Sequence, residues 1–247
     1  MIRAAVVVPA HDEQELLPGC LDALAAALAG VTAAAGTAGV EVDTAAAGGV
    51  VDVIVVADAC TDATVAVARA AGAIVLQIGA RRVGAARAAG VRLARELGAD
   101  WIATTDADSR VPTDWWPRQL AHARAGADVV AGTVMVSQWA GWPTDLPARY
   151  EAAYAGRAAP SGQAQAGPPA PRHVHGANLA FTADAYARAG GFPGLSVSED
   201  VAFVAAAEAA GLHVVYASDL PVVTSARRRA RLSGGFATYL ADLERHL

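Results

Sequence analysis

Ala4-Ala5-Val6-Val7-Val8-Pro9-Ala10-His11-Asp12-Glu13 opens the chain with an apolar, β-branched run that stops at a proline and turns polar at once. A run of this length and composition reads as a buried strand. Asp12, with Glu15 three residues on, has the capping-box arrangement and predicts a helix from there through about Leu28. The rhythm continues downstream. Val50 to Val56 reads as a second strand, and Thr61-Asp62 opens an alanine-rich helix to about Ala71. Ile74 to Ile78 reads as a third strand, Val83 to Leu97 as a helix, and Trp101 to Thr105 as a fourth strand. Strands alternating with helices of this length imply right-handed βαβ crossovers. The expected fold is α/β and Rossmann-like, a mostly parallel sheet with helices on both faces.

Further along, Ala177 to Phe181 reads as a strand, Ala183 to Ala189 and Glu199 to Ala210 as helices, and Val214 to Ala217 as a last strand. Two segments break the pattern. Gly30 to Gly49 reads as a helix end plus a surface loop. Gly156 to Pro171, with Pro168, Pro169 and Pro171, reads as a long loop of the kind that is functional or disordered. No internal repeat or separate second core is legible, so the expectation is one domain over residues 1–247.

Composition narrows the functional classes. The 247 residues are 54% hydrophobic and 17% charged, which excludes intrinsic disorder. All 19 basic residues are arginine, and the formal charge of −5 argues against a general nucleic-acid binder, which needs positive charge to displace counterions. No apolar run reaches the roughly 18–20 residues of a membrane span, and the N-terminus lacks a signal-peptide layout. Cys20 and Cys60 make neither a disulfide framework nor a four-ligand zinc site. The expected location is cytoplasmic, with peripheral contact at the inner membrane face left open.

The candidate chemistry lies at strand ends. Asp106-Ala107-Asp108 follows the fourth strand; residues two apart on a strand point the same way, so both carboxylates can converge. Two facing carboxylates repel unless a cation intervenes, and Mg²⁺ or Mn²⁺ favours such oxygen ligands. Asp58 ends the second strand at the same edge, and Pro9, His11 and Glu13 follow the first. In parallel α/β sheets ligands bind at this edge. Glu199-Asp200 opens a helix, where acids also complement the dipole, and residues 100° apart suggest that only one faces a common site. His173 and His175 could reach a metal or a phosphate from an extended stretch. Arg227, Arg228, Arg229 and Arg231 are either a solvated face or a phosphate clamp.

Taken in order, these segments resemble the inverting glycosyltransferases of family 2, which share the GT-A fold. The resemblance runs from about Val6 to Ala217. Pro9-Ala10-His11-Asp12-Glu13 is similar to the family's opening Pro-x-x-Asn-Glu, and Val55 to Thr64 to its Val-Asp-Asp-Gly-Ser-Thr-Asp-x-Thr. Gly84 to Gly90, Asp106-Ala107-Asp108, Gly176-Ala177-Asn178, Gly190-Gly191-Phe192 and Glu199-Asp200 complete the series.

The resemblance implies a nucleotide-diphosphate sugar donor, UDP- or GDP-linked, bound by about residues 1–108, and an acceptor held by about 109–247. Asp58 would hydrogen-bond the base, Pro9, His11 and Glu13 would hold the nucleoside, and Arg87 and Asp106 would join them at the donor. Asp108, with Asp106, would bind Mn²⁺ or Mg²⁺ against the diphosphate. Asp200 would be the general base for a single inverting displacement. Glu199, Asn178, His175 and Arg228 would serve the acceptor or a phosphate. Ala57 stands where the family's first acid would be, and Arg82 and Ala88 replace a usual glycine and asparagine. The Gln-x-x-Arg-Trp motif of processive synthases is missing, which implies transfer of one sugar.

Two other readings fit part of the pattern. Asp106 to Val111 also resembles the haloacid-dehalogenase phosphatase signature, but that motif follows a first strand and the chemistry uses a lysine, which the chain lacks. A non-catalytic nucleotide-sugar-binding module would explain Ala57 and the altered helix start, yet it would not need Asp106, Asp108 and Asp200 together.

Overall fold

Strand β1 (Ile2–Ala10) lies inside the sheet between two parallel partners and is buried from Ala4 to Ala10. The structure, a computed structural model, describes residues 2–29, 40–42, 49–156, 173–195, 197–228 and 235–245. After β1 come α1 (Leu17–Ala27), β2 (Val40–Val42), β3 (Gly49–Asp58), α2 (Thr64–Ala70), β4 (Ile74–Ile78), α3 (Val83–Glu96) and β5 (Trp101–Thr104). The second half adds α4 (Trp115–Arg124), β6 (Val129–Val136), α5 (Leu146–Gly156), β7 (Leu179–Thr182), α6 (Ala183–Arg188), α7 (Glu199–Ala209), β8 (Val214–Thr224) and α8 (Phe236–Arg245).

Among the described residues eight strands join one sheet in the order β2-β3-β1-β5-β7-β6-β8, with β4 also on β3. β3, β1 and β5 run parallel, as do β3 with β4 and β6 with β8. β7 is antiparallel to both of its neighbours, and β2 is antiparallel to β3. The expected mostly parallel α/β sheet is therefore present.

Strand alternation explains the two covering layers. Val6 and Val8 of β1 point into a cluster with Leu17, Leu24 and Trp115, so α1 and α4 cover that face. Ala5 and Val7 point the other way, toward Ala86, Val91 and Phe203 of α3 and α7. A strand buried on both sides must be apolar at every position, which is why Ala4–Val8 shows no alternation. Helix α1 buries Leu17, Cys20, Leu21, Leu24 and Ala27, a three-and-four spacing that makes one apolar stripe. α3 lies close to the sheet because Gly90 faces it: a Cβ there would stand 2.4 Å from Val7 Cγ1. A third, smaller cluster joins Trp142, Leu146 and Tyr150 to Leu240 of α8. Among the described residues no helix is long and apolar enough to cross a membrane.

Three local expectations need correction. The first helix begins at Leu17 and not at Asp12, and its N-cap Leu16 makes no side-chain cap. Asp12 instead has a φ of 52°, and its Oδ1 accepts the backbone N–H of Thr61 at 2.7 Å and of Asp62 at 3.3 Å. The capping-box spacing was satisfied by a neighbouring loop. Gly176–Asn178 is a 3-10 turn, so the strand expected from Ala177 starts at Leu179 and runs antiparallel. The last strand extends past Ala217 to Thr224, with its register to β6 shifted between Gly132 and Thr133. Of the two expected loops, Val40–Val42 forms edge strand β2; residues 30–39, 43–48 and 157–172 lie outside the described residues.

Candidate functional site

The carboxyl ends of β1, β3, β4 and β5 open onto a cavity of about 440 Å³. Pro9, His11, Glu13, Asp58, Asp106 and Asp108 line it at the sheet edge, with Glu199 and Asp200 opposite on α7. Among the described residues four non-glycines have left-handed backbone: Asp12 (52°), Ala59 (53°), Arg81 (51°) and Ser198 (61°). They lie in the loops after β1, β3 and β4 and just before α7. Such conformations cost energy and persist where the surroundings enforce them, commonly at functional sites.

Asp58 shows how the enforcement works. Its carboxylate accepts the N–H of Arg81 on Oδ1 and of Arg82 on Oδ2, both at 2.8 Å, and so fixes the β4–α3 loop. His11 Nδ1 lies 2.6 Å from the Asp58 carbonyl oxygen. A carbonyl only accepts, so His11 carries its proton on Nδ1.

The remaining acids are held by two arginines. Arg87, 4% exposed, bonds Asp106 Oδ1 through one terminal nitrogen and Glu199 Oε1 through the other. Burial works against its charge, but Asp106, Glu199 and Asp200 outweigh that and hold its pKa above the ordinary value. Burial pushes the Glu199 carboxyl up, against the pull of Arg87. Gly176 leaves room for this arginine, since a Cβ there would sit 2.3 Å from the guanidinium carbon. Arg227 makes the second link, pairing with Glu13 Oε1 and, at 3.2 Å, with Asp108 Oδ2. Burial pushes the Asp108 carboxyl up to about 6 despite Arg227, and Asp106 and Glu13 add to the rise.

Asp200 faces the cavity from the start of α7. Its Oδ2 accepts the Gly176 N–H at 2.6 Å and its Oδ1 the Val201 N–H at 2.8 Å. Helical geometry suggests that only one of Glu199 and Asp200 should reach a common site, yet both line the cavity, one through Arg87 and the other directly.

Two predicted residues are not brought there. Asn178 is fully buried, accepting from Trp115 Nε1 at 3.0 Å and donating to the Thr133 and Leu220 carbonyls. Three of the four hydrogen-bonding positions of its amide are thus committed to joining β6, β8 and the 3-10 turn. Arg228 lies over the Trp142 ring at 4.5 Å and pairs with Glu244 at 3.0 Å, outside the cavity lining. Its neighbour Arg227 is the member of that cluster at the site; Arg229 and Arg231 lie outside the described residues. His175 lines the cavity, and His173 stacks on Tyr154 with centroids 3.6 Å apart.

Sequence reasoning missed an aromatic wall. Tyr150 and Tyr154 of α5 and Phe236 and Tyr239 of α8 line the far side of the cavity. Their spacings of four and three residues put each pair on one helix face, which was the available signal.

Oxygen donors for a divalent cation are present. Asp106 and Asp108 each commit one oxygen to an arginine, and Glu13 Oε2 is buried with no hydrogen-bond partner among the described residues. Such an oxygen, on an acid that shares Arg227 with Asp108, suits a hard cation, although among the described residues Glu13, Asp106 and Asp108 do not bring one oxygen each within 4.8 Å of the others. A separate group, Asp12, Cys60 and Asp62, brings one ligand atom each within 4.8 Å of the others, but Asp12 and Asp62 there also bond loop amides.

A family model described as glycosyl transferase family 2 matches residues 5–188. No curated protein sequence matches the chain. Among solved structures, S. aureus TarS 1-349 in complex with UDP-GlcNAc is similar at 15% identity and TM-score 0.62, covering 95% of this chain and 62% of that one. Mannosyltransferase PcManGT from Pyrobaculum calidifontis, in complex with GDP-Man and Mn²⁺, has 17% identity and TM-score 0.59, covering 92% and 58%. Glucosyl-3-phosphoglycerate synthase from Mycobacterium tuberculosis, in complex with phosphoglyceric acid, has 18% identity and TM-score 0.55, covering 93% and 73%. The chain spans 37% of the longer TarS structure and 62% of the shorter. At these identities the likeness is one of fold, and the fold is GT-A.

Proposed function

The chain belongs to glycosyl transferase family 2, and from that premise we propose that it moves one sugar from a nucleotide-diphosphate donor to an acceptor hydroxyl with inversion. The observation that carries this reading is the single cavity onto which Asp58, Asp106, Asp108 and Asp200 converge from distant parts of the chain. Relatives of the same fold hold UDP-GlcNAc or GDP-Man with Mn²⁺, which supports a UDP- or GDP-linked donor.

Residues 1–108 supply the donor end. The loops held by Asp58 and His11 take the nucleoside, and the Asp106–Asp108 end of β5 takes the diphosphate. Mn²⁺ or Mg²⁺ bound by Asp108 and Asp106 would act there as a Lewis acid on the leaving group. Arg227 adds a fixed positive charge beside Asp108. Residues 109–247 supply Asp200, whose orientation by two backbone amides aims the carboxylate into the cavity. It takes the proton from the acceptor hydroxyl. The acceptor oxygen bonds to the anomeric carbon, and the bond from that carbon to the diphosphate oxygen breaks, its electron pair leaving with the nucleoside diphosphate. Glu199 acts through Arg87, holding it against Asp106.

The test is thermal unfolding with UDP-, GDP- and dTDP-sugars, each with Mn²⁺ and with chelator. A donor at 100 times its dissociation constant adds roughly 2.7 kcal/mol, or about 5–10 °C for a chain of this size. A shift with one nucleotide class that chelator removes is expected. No shift with any donor overturns the reading.

A further inference from the structure

The cavity has two chemically different ends. At the sheet edge its lining is ionic, and among the described residues the lining arginines, Arg81, Arg87 and Arg227, are there. Arg87 and Arg227 are already matched by carboxylates. At the other end the rings of Tyr150 and Tyr154 lie 5.6 Å apart, with Phe236 edge-on to Tyr150 at 5.9 Å and Tyr239 at 6.5 Å. The rings pack on one another, with Tyr150 buried behind the half-buried Tyr154, Phe236 and Tyr239. The Tyr154 hydroxyl is engaged, 3.2 Å from the Val134 amide nitrogen and 3.3 Å from His175 Nε2, and His173 stacks on one face of its ring.

The rim continues this chemistry. Among the described residues five large hydrophobic side chains are exposed, and three of them, Leu195, Val197 and Val201, flank Asp200. Val197 and Val201 also line the cavity. Apolar side chains left in water beside a proton acceptor, and continuous with an aromatic wall, mark a ligand surface more than scattered exposure does.

Resting on the glycosyltransferase reading, we propose that the acceptor bearing the hydroxyl also carries an apolar alkyl or aryl group, which lies against the Tyr154–Phe236–Tyr239 wall and leaves the cavity across Val197 and Val201. An acceptor with no apolar group, such as phosphoglycerate, would leave these rings and the exposed valines in water. The hydroxyl meets Asp200 at the junction of the two ends and follows the displacement described above: its oxygen bonds to the anomeric carbon, its proton passes to Asp200, and the diphosphate leaves.

The test separates this proposal from the reading beneath it. UDP and GDP binding with Mn²⁺, measured by calorimetry on the full chain, judges the donor end alone. Binding of methyl β-D-glucoside, hexyl β-D-glucoside and phosphoglycerate, each with and without nucleotide, then judges the apolar end. Hexyl glucoside should bind at least about tenfold more tightly than methyl glucoside, because each buried methylene is worth about fourfold. Phosphoglycerate should not compete. Val201→Ser, at a half-exposed position that the fold tolerates, should lower the hexyl-to-methyl ratio by about threefold. A ratio near one, no binding of either glucoside, a ratio that Val201→Ser leaves unchanged, or tighter binding of phosphoglycerate each overturns the proposal. Failure of nucleotide binding alone overturns the donor reading.

Discussion

Arg87 and Glu199, 112 positions apart in sequence, form an ion pair whose side chains are 5% and 2% exposed. The pair joins α3 to the first turn of α7, and through Arg87's other nitrogen to Asp106 at the end of β5. It therefore sets the distance between the proposed metal acids and the proposed base. Removing one member of a buried pair leaves an uncompensated charge, which costs about 3–5 kcal/mol. Asp106 still shares Arg87, so Glu199→Gln should fall at the low end, about 3 kcal/mol. Urea unfolding would measure it, and an unchanged midpoint would show that the pair holds nothing.

Asp108 makes stability depend on pH in a defined direction. Its carboxyl rises from 3.8 in the unfolded chain to about 6 in the folded one, chiefly through burial. Between those values the folded chain binds more protons, so this group's favourable contribution is full below pH 3.8 and is lost as pH rises through 6. At pH 8 the buried charge costs roughly 3 kcal/mol. Asp108→Asn resembles the protonated acid, and it should be more stable than the parent by up to about that amount at pH 8 and nearly equal to it at pH 4. A variant less stable at pH 8 would mean that the Arg227 pair outweighs the burial.

Much of the first half was legible because its information is local. Apolar runs such as Ala4–Val8 and Trp101–Thr104 are short, continuous and followed by polar turns, so their strands and the acids at their ends could be placed from sequence. What escaped depends on distant partners. Asp12 looks like a helix cap by spacing, yet the amides of Thr61 and Asp62 claim it. Asn178 looks like a ligand by motif, yet Trp115 and two carbonyls take up both amide hydrogens and one lone pair in the interior. Arg227 could not be told from Arg228, because only the end of β8 turns one toward Glu13 and the other toward Trp142. The aromatic wall needed α5 and α8 to meet, and the spacing within each helix gives a face but not its partner.

Asp58 accepts two consecutive backbone amides, a task for which both oxygens are needed. Asp58→Asn would keep one acceptor and set an N–H against the other amide. Losing a charge-assisted bond and leaving a donor unmatched costs about 1.5–3 kcal/mol. Since Arg81 lines the cavity with left-handed backbone, the loss should appear as weaker nucleotide binding, about tenfold or more by calorimetry with UDP or GDP. Unaltered affinity would separate the β4–α3 loop from the donor.

Asp200 is the sharpest case, because two roles predict different kinetics. Its oxygens accept the Gly176 and Val201 amides, so the side chain could serve to hold the turn before β7, to take a proton, or both. An amide at this position can still accept one of those bonds but cannot accept the acceptor's proton. If Asp200 is the base, Asp200→Asn should lower kcat by about 10²–10⁴-fold while the donor dissociation constant stays within about twofold, since the donor lies on the Asp58–Asp108 side. If it only holds the turn, turnover should survive at a reduced level, with a higher KM for the acceptor. Single-turnover transfer and donor calorimetry on the same preparation distinguish the two. Retained chemistry would remove Asp200 from the base role and leave Glu199, tied to Arg87, as the remaining acid on that side of the cavity.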